Sequence, residues 1–262
     1  MERLDQALVR RGLLPSREKA KAAICEGAVL VNGREERRPS RAVRESDALS
    51  LLDTSALHYV GRGSAKLLKA LDVFGIPIAG LRCLDVGAST GGFTQVLLER
   101  GASLVTAVDV GTGQLARPLR EDPRVVNLER TDFRTLTQSQ IGQVDFACAD
   151  VSFISLKHIL PHLAALLGEE SHAVCLLKPQ FEAGPQRVKK GIVKDPHTHV
   201  LVIEEVAAAA RQAGFQLCGM TYSPIRGGEG NIEYLLHIFN GTYNQPVPQA
   251  EDAVRLAWEE FR

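Results

Sequence analysis

Leu4, Leu8 and Val9 recur at helical spacing up to Gly12, and a second helical stretch runs from Ser16 to a stop at Gly27. Ser16 is a good N-cap ahead of Arg17-Glu-Lys-Ala-Lys-Ala-Ala-Ile, because its hydroxyl can accept from a free amide of the first turn. The pattern then changes. Val29-Leu-Val enters Asn32-Gly33, a pair that tolerates the positive φ angles of a tight hairpin, and Ala48-Leu-Ser-Leu-Leu supplies a closing strand. Two short helices and a small sheet are predicted, a unit with only a marginal core and no room for an enzyme.

Beyond a connector at about residues 53–63, an amphipathic helix is predicted from Ser64 to Phe74, and strands then alternate with helices to the C-terminal end. That alternation is the α/β pattern. Arg82-Cys-Leu-Asp-Val enters the turn Gly87-Ala-Ser-Thr-Gly-Gly92 and the helical Phe93-Thr-Gln-Val-Leu-Leu-Glu-Arg, so a glycine-rich turn joins a buried strand to a helix start. The next strand, Leu104-Val-Thr-Ala-Val, ends at Asp109, about 20 residues past the turn, where a carboxylate can hold ribose hydroxyls. Two further strands end at Asp150 and at Lys178, and Glu233 opens the apolar run Tyr234-Leu-Leu-His-Ile-Phe. Ligands of open α/β sheets bind at the carboxyl ends of the strands, and an antiparallel last strand brings Glu233 to that same edge.

The turn lacks the second glycine of G-x-G-x-x-G because Ser89 stands there, which argues against a dinucleotide. An adenosyl sulfonium cofactor, S-adenosylmethionine, fits better, since no pyrophosphate has to be cradled. Asp85 would reach its amino-acid end, Gly87, Ser89, Gly91, Gly92 and Phe93 would border the ribose and methionyl part, and Asp109 would take the hydroxyls. Asp132, after the third strand, is a candidate for the adenine amino group or equally a turn aspartate. The turn also spells G-x-S-x-G, but a hydrolase nucleophile elbow normally follows several strands and needs an oxyanion segment, and none precedes Ser89 here.

Charge sharpens the division. The chain is neutral, with 31 basic and 31 acidic side chains, yet residues 1–52 carry 11 of the former and 8 of the latter, a net +3 balanced by −3 in the remainder. A small basic unit attached to a mildly acidic one suggests that the first binds an anion such as nucleic acid. Composition is otherwise that of an ordinary globular protein. The five cysteines are too scattered for a zinc site or a disulfide framework, and His197 and His199 read as helix-start residues, so no metal is expected. No apolar run reaches the length of a membrane span and no secretion signal is visible, so a cytoplasmic location is expected.

Arg3-Leu-Asp, Ser16-Arg-x-x-Ala and Gly27-x-Val-x-Val-Asn-Gly33 resemble the S4-type RNA-binding domain. That resemblance implies that Arg17, Lys19, Lys21 and Arg34, with Arg3 nearby, face RNA phosphates. Lys66 in Arg62-Gly-Ser-Ala-Lys, Asp150 in Asp-Val-Ser-Phe, Lys178 in Lys-Pro-Gln-Phe-Glu and Glu233 in Gly-Asn-Ile-Glu-Tyr look like the catalytic tetrad of FtsJ-like RNA ribose methyltransferases. The whole chain resembles the TlyA family, also labelled haemolysin. The resemblance implies an S4-type domain over residues 1–60, a Rossmann-like methyltransferase domain over 61–245 and a C-terminal helix over 246–262. It also implies S-adenosylmethionine-dependent 2′-O-methylation of cytidine in ribosomal RNA, with ribosomal subunits as partners.

Methyl transfer from a sulfonium requires the enzyme to align the ribose hydroxyl and remove its proton. Lys178 is the candidate base. A lysine serves so only when neutral, a form that Lys66 nearby favours and that Asp150 and Glu233 oppose. The segment after Lys178 holds Arg187, Lys189, Lys190 and Lys194 in a loop-like composition that can clamp RNA. Two other functions remain open at this point: an RNA-binding protein without catalysis, and lysis as the family label suggests.

Overall fold

The computed structural model describes residues 1–25, 27–51, 58–244, 246–247 and 249–262. The chain divides into two compact units, Met1–Arg62 and Gly63–Arg262. Residues 53–57 of the expected connector and Leu52 of the expected closing strand lie outside the described residues.

In the first unit, β1 (Glu2–Arg3) leads into α1 (Leu4–Arg10) and, after a turn, α2 (Arg17–Cys25). Leu4, Ala7 and Leu8 of α1 meet Ala20, Ala23 and Ile24 of α2, so each helix buries one stripe at three- and four-residue spacing. The Ser16 hydroxyl accepts from the Lys19 amide at 3.2 Å, the cap expected of it. β2 (Val29–Val31) and β3 (Arg34–Glu35) form a hairpin in which Asn32 and Gly33 both take positive φ, 54° and 76°. β4 (Ala42–Val43) pairs with β1, and β5 (Leu49–Leu51) pairs with β2.

The second unit begins with α3 (Ser64–Phe74), β6 (Arg82–Val86), α4 (Gly92–Glu99), β7 (Leu104–Val108), α5 (Arg117–Arg120) and β8 (Val125–Leu128). It continues through α6 (Gln138–Ile141), β9 (Val144–Ala149), α7 (Leu160–Leu166), β10 (Leu167–Leu177) and α8 (Pro179–Glu182). It closes with α9 (Pro196–Gln212), β11 (Gln216–Tyr222), β12 (Tyr234–Asn240) and α10 (Ala250–Glu260). The sheet order is β11-β12-β10-β9-β6-β7-β8, parallel along β10 to β8 and antiparallel at both edges of β12. Alternate residues such as Leu84 and Val86, or Ala173, Cys175 and Leu177, join one core, while Cys83, Val174 and Leu176 between them are buried on the opposite face. Burial on both faces explains why these strands read as continuous apolar runs. The strand order reverses beside β6, and the chain leaves the sheet there for the glycine turn.

Candidate active site

Register brings the four tetrad residues together. Leu177 pairs with Tyr234 in the antiparallel β10–β12 ladder, so the next positions outward, Lys178 and Glu233, share the carboxyl edge. Asp150 follows β9 at the same edge, where its amide donates to the carbonyl of Val86 at 2.9 Å. Pro179 holds Lys178 in an extended conformation and starts α8 behind it, while Lys66 reaches in from the first turn of α3. The four side chains form a row of alternating charge. Lys178 Nζ lies 2.6 Å from Asp150 Oδ1, Asp150 Oδ2 lies 3.6 Å from Lys66 Nζ, and Lys66 Nζ donates to Glu233 Oε2 at 2.7 Å. Lys66, Lys178 and Glu233 are all buried. Burial pushes the Asp150 carboxyl up, but the adjacent charges of Lys66 and Lys178 outweigh it and hold the group below the usual carboxylate range. Gly227 leaves the space that the Glu233 carboxylate fills, since a Cβ at that position would collide with Glu233 Oε1.

A cleft of about 520 Å³ adjoins this row through Asp150 and Ser152 and runs along the ends of β6, β7 and β9. Gly87, Ser89, Asp109 and Asp132 line it, as the sequence suggested. Asp109 is fixed from both sides, accepting from the Ser89 amide at 2.8 Å and the Gly111 amide at 2.7 Å. Both acceptors remain at the cleft wall, where ribose hydroxyls can add to them. Gly87 has φ of 82°, and a Cβ there would stand 2.5 Å from the Asp150 carbonyl oxygen, so only glycine lets the two strand ends approach. Size, glycine turn and carboxylate fit an adenosyl ligand. Among the described residues no histidine lines the cleft, which removes the partner a Ser89 nucleophile needs.

Four of the residues expected at the cofactor do not line this cleft. Asp85 is fully buried beneath the turn, accepting from the Thr94 hydroxyl at 2.7 Å with the Cys148 thiol 3.6 Å away, so it shapes the turn from below and does not line the cleft. Gly91 and Gly92 start α4, and a Cβ on Gly91 would strike the side chain of Leu119, so helix packing is the reason for glycine there. Phe93 is buried as well. Asp132 lines the cleft but caps a 3-10 turn and pairs with Arg134 at 2.6 Å, and that guanidinium lowers its carboxyl to about 2.

Burial raises the Asp85 carboxyl to about 6. A carboxyl that holds its proton more tightly folded than unfolded favours the folded state in acid, and its contribution falls as pH rises from about 4 to about 6. Asp85→Asn removes that fall. In urea titrations across this window the stability of the variant relative to the parent should climb by roughly 3 kcal/mol. A flat difference would mean that Asp85 titrates normally.

Several residues of the site carry no recognisable signal in the sequence. Ser152 Oγ accepts from Lys178 Nζ at 2.8 Å. Phe153 is 91% exposed at the cleft, with φ of 65°, and its ring lies 5.2 Å from that of Phe181. The buried Asn231 accepts from the Val193 amide at 3.1 Å and donates to the Gly191 carbonyl at 2.8 Å. It thereby ties the basic loop to the segment that ends in Glu233. In that loop Lys189, Lys190 and Lys194 are exposed, and Arg187 lies 3.9 Å from Glu205. Asp195 caps α9 through the amides of His197 and Thr198, and His199 is buried between Tyr234 Oη and the Val193 carbonyl. Among the described residues no His, Cys, Asp and Glu cluster could hold a metal ion.

The basic residues singled out in the first unit are of two kinds. Arg3 and Arg17 both bind the buried carboxylate of Asp5, each at 3.0 Å. Lys19, Lys21 and Arg34 are exposed and have no ion pair among the described residues.

Residues 59–239 match the FtsJ-like methyltransferase family and residues 2–49 the S4 domain. The chain is 46% identical to the 16S/23S rRNA (cytidine-2′-O)-methyltransferase TlyA of Mycobacterium tuberculosis, over 98% of this chain and 97% of that one. It is 35% identical to the 23S rRNA (cytidine-2′-O)-methyltransferase TlyA of Campylobacter jejuni, over 87% of this chain and 96% of that one. A solved structure of a hemolysin-named protein from Streptococcus thermophilus superposes with a TM-score of 0.78 at 42% identity, covering 99% of this chain and 96% of that one.

Proposed function

The chain belongs to the FtsJ-like methyltransferase family, with an S4 domain at its N-terminal end, and from that premise we propose that it methylates the ribose 2′-hydroxyl of a cytidine in ribosomal RNA. The observation that carries this reading is the buried row Lys178–Asp150–Lys66–Glu233 beside a nucleoside-sized cleft. S-adenosylmethionine supplies an already activated methyl group. The glycine turn and Asp109 hold the adenosyl part. Lys178, in its neutral form, takes the proton from the ribose hydroxyl. Asp150 holds Lys178 in place, and Glu233 does the same for Lys66, whose charge stabilises the oxygen as it loses its proton. An assembled tetrad favours catalysis over simple RNA binding. Among the described residues no helix is long and apolar enough to cross a membrane, and the hemolysin name of relatives is the one support for lysis. Acting on ribosomes, the enzyme works in the cytoplasm.

Incubation of purified 30S and 50S subunits with labelled S-adenosylmethionine, followed by nucleotide mapping, tests the proposal. Label at a cytidine 2′-oxygen is expected, and no label on either subunit refutes it. The exposed basic residues of the first unit supply affinity. Neutralising Lys19, Lys21 and Arg34 together should flatten the dependence of log affinity on log salt by about 0.7–0.9 units per lost phosphate contact. Arg17, already paired with Asp5, should contribute less than either lysine. An unchanged slope in filter-binding titrations would move recognition to the loop from Arg187 to Lys194.

A further inference from the structure

The segment 150–156 leaves β9 at Asp150 and is tied twice to the segment that begins at Lys178. Ser152 Oγ accepts from Lys178 Nζ at 2.8 Å. Glu182, a buried carboxylate in the turn after Lys178, accepts from the Leu156 amide at 2.8 Å and from the Ser155 hydroxyl. Asp150, Ser152 and Lys178 are therefore mounted on one frame. Two of the three hydrogens that an ammonium directs tetrahedrally are taken, one by Asp150 at 2.6 Å and one by Ser152. Ser152 and Asp150 both line the cleft.

We propose that Ser152 is a positioning residue for the base: with Asp150 it fixes two corners of the Lys178 nitrogen, so that in the neutral amine the lone pair occupies a corner left to the substrate. The inference rests on the reading of Lys178 as base and adds to it the group that aims it. A lysine held by Asp150 alone can rotate about that single contact and lose its aim, because four flexible torsions connect the nitrogen to the backbone. Ser152 acts through the Lys178 nitrogen, so its effect is expected on the rate of the bound complex rather than on binding.

The experiment compares Ser152→Ala and Ser152→Thr in the full chain, with single-turnover methylation of ribosomal subunits and with KM for subunits and for S-adenosylmethionine. Ser152→Ala should lower the single-turnover rate by about ten- to a hundredfold, the scale of a misplaced reacting group, while both KM values stay within about threefold. Ser152→Thr keeps the hydroxyl and should restore most of the rate. Thermal unfolding of both variants within a few degrees of the parent shows that the loss is local. A parental rate in Ser152→Ala, or a loss that Ser152→Thr does not restore, overturns the proposal. Lys178→Ala separates the two readings: an active Lys178→Ala removes the base itself, whereas an inactive Lys178→Ala beside a parental Ser152→Ala removes only the aiming role.

Discussion

Lys178→Ala should lower methyl transfer to ribosomal RNA by about a hundred- to ten-thousandfold, the range that a positioned proton acceptor supplies. Affinity for S-adenosylmethionine should stay within a few-fold, because the cleft is lined by the glycine turn, Asp109 and Asp132, and Lys178 is not among its lining residues. The substitution also leaves Asp150 with Lys66 alone, at 3.6 Å. Some stability is lost in consequence, so calorimetric titration of the folded variant must accompany the rate measurement. Parental turnover would show that the proton leaves by another route. A parallel collapse of cofactor affinity would show that the lysine shapes the cleft, and the division between cofactor and RNA residues would fail.

Much of this site could be read from spacing. Asp109 stands where a strand-end carboxylate about 20 residues past a glycine turn belongs, and its two amide partners, Ser89 and Gly111, come from loops at the same edge. An antiparallel final strand places Lys178 and Glu233 opposite one another, because register follows from two apolar runs. The Ser16 cap and the Asn32-Gly33 turn were legible because local backbone chemistry decides them. Spacing carries no signal where tertiary approach decides. Asp85 precedes the turn in sequence just as a ligand would, but strand alternation points it to the sheet face under α4, where it meets Thr94 and Cys148. Gly91 has the spacing of a ligand turn, and its lack of a side chain also makes room for Leu115 and Leu119. Arg3 and Arg17 carry the charge expected of an RNA face, yet a buried carboxylate two residues from one and twelve from the other engages both. Ser152, Glu182 and Asn231 are ordinary polar residues whose roles exist only through partners 26, 26 and 38 positions away.

Asp150→Ala should be more damaging than loss of either lysine, since this carboxylate is the element shared by Lys66 and Lys178. Its removal leaves the buried Lys178 ammonium without a carboxylate, while Lys66 keeps Glu233 at 2.7 Å, and unpaired buried charge costs about 3–5 kcal/mol. The lower end applies here, because Asp150 retains 21% side-chain exposure and water can reach the vacated space. Methyl transfer should fall by at least the ten- to hundredfold expected for Ser152→Ala, the base having lost the charged one of its two anchors. The double variant Asp150→Ala, Lys178→Ala removes the stranded cation together with the anion, so it should be more stable in urea than the sum of the two single losses implies. Acid gives a second check with the opposite sign from Asp85. A carboxyl held below its ordinary value contributes its stabilisation at neutral pH and loses it as pH falls below about 4 toward the lower folded value, so the parent should lose this increment in acid and Asp150→Ala should not. Strictly additive losses, or identical acid limbs in parent and variant, would mean that the three side chains are neighbours without being coupled, and the alternating row would then have no claim to act as one unit.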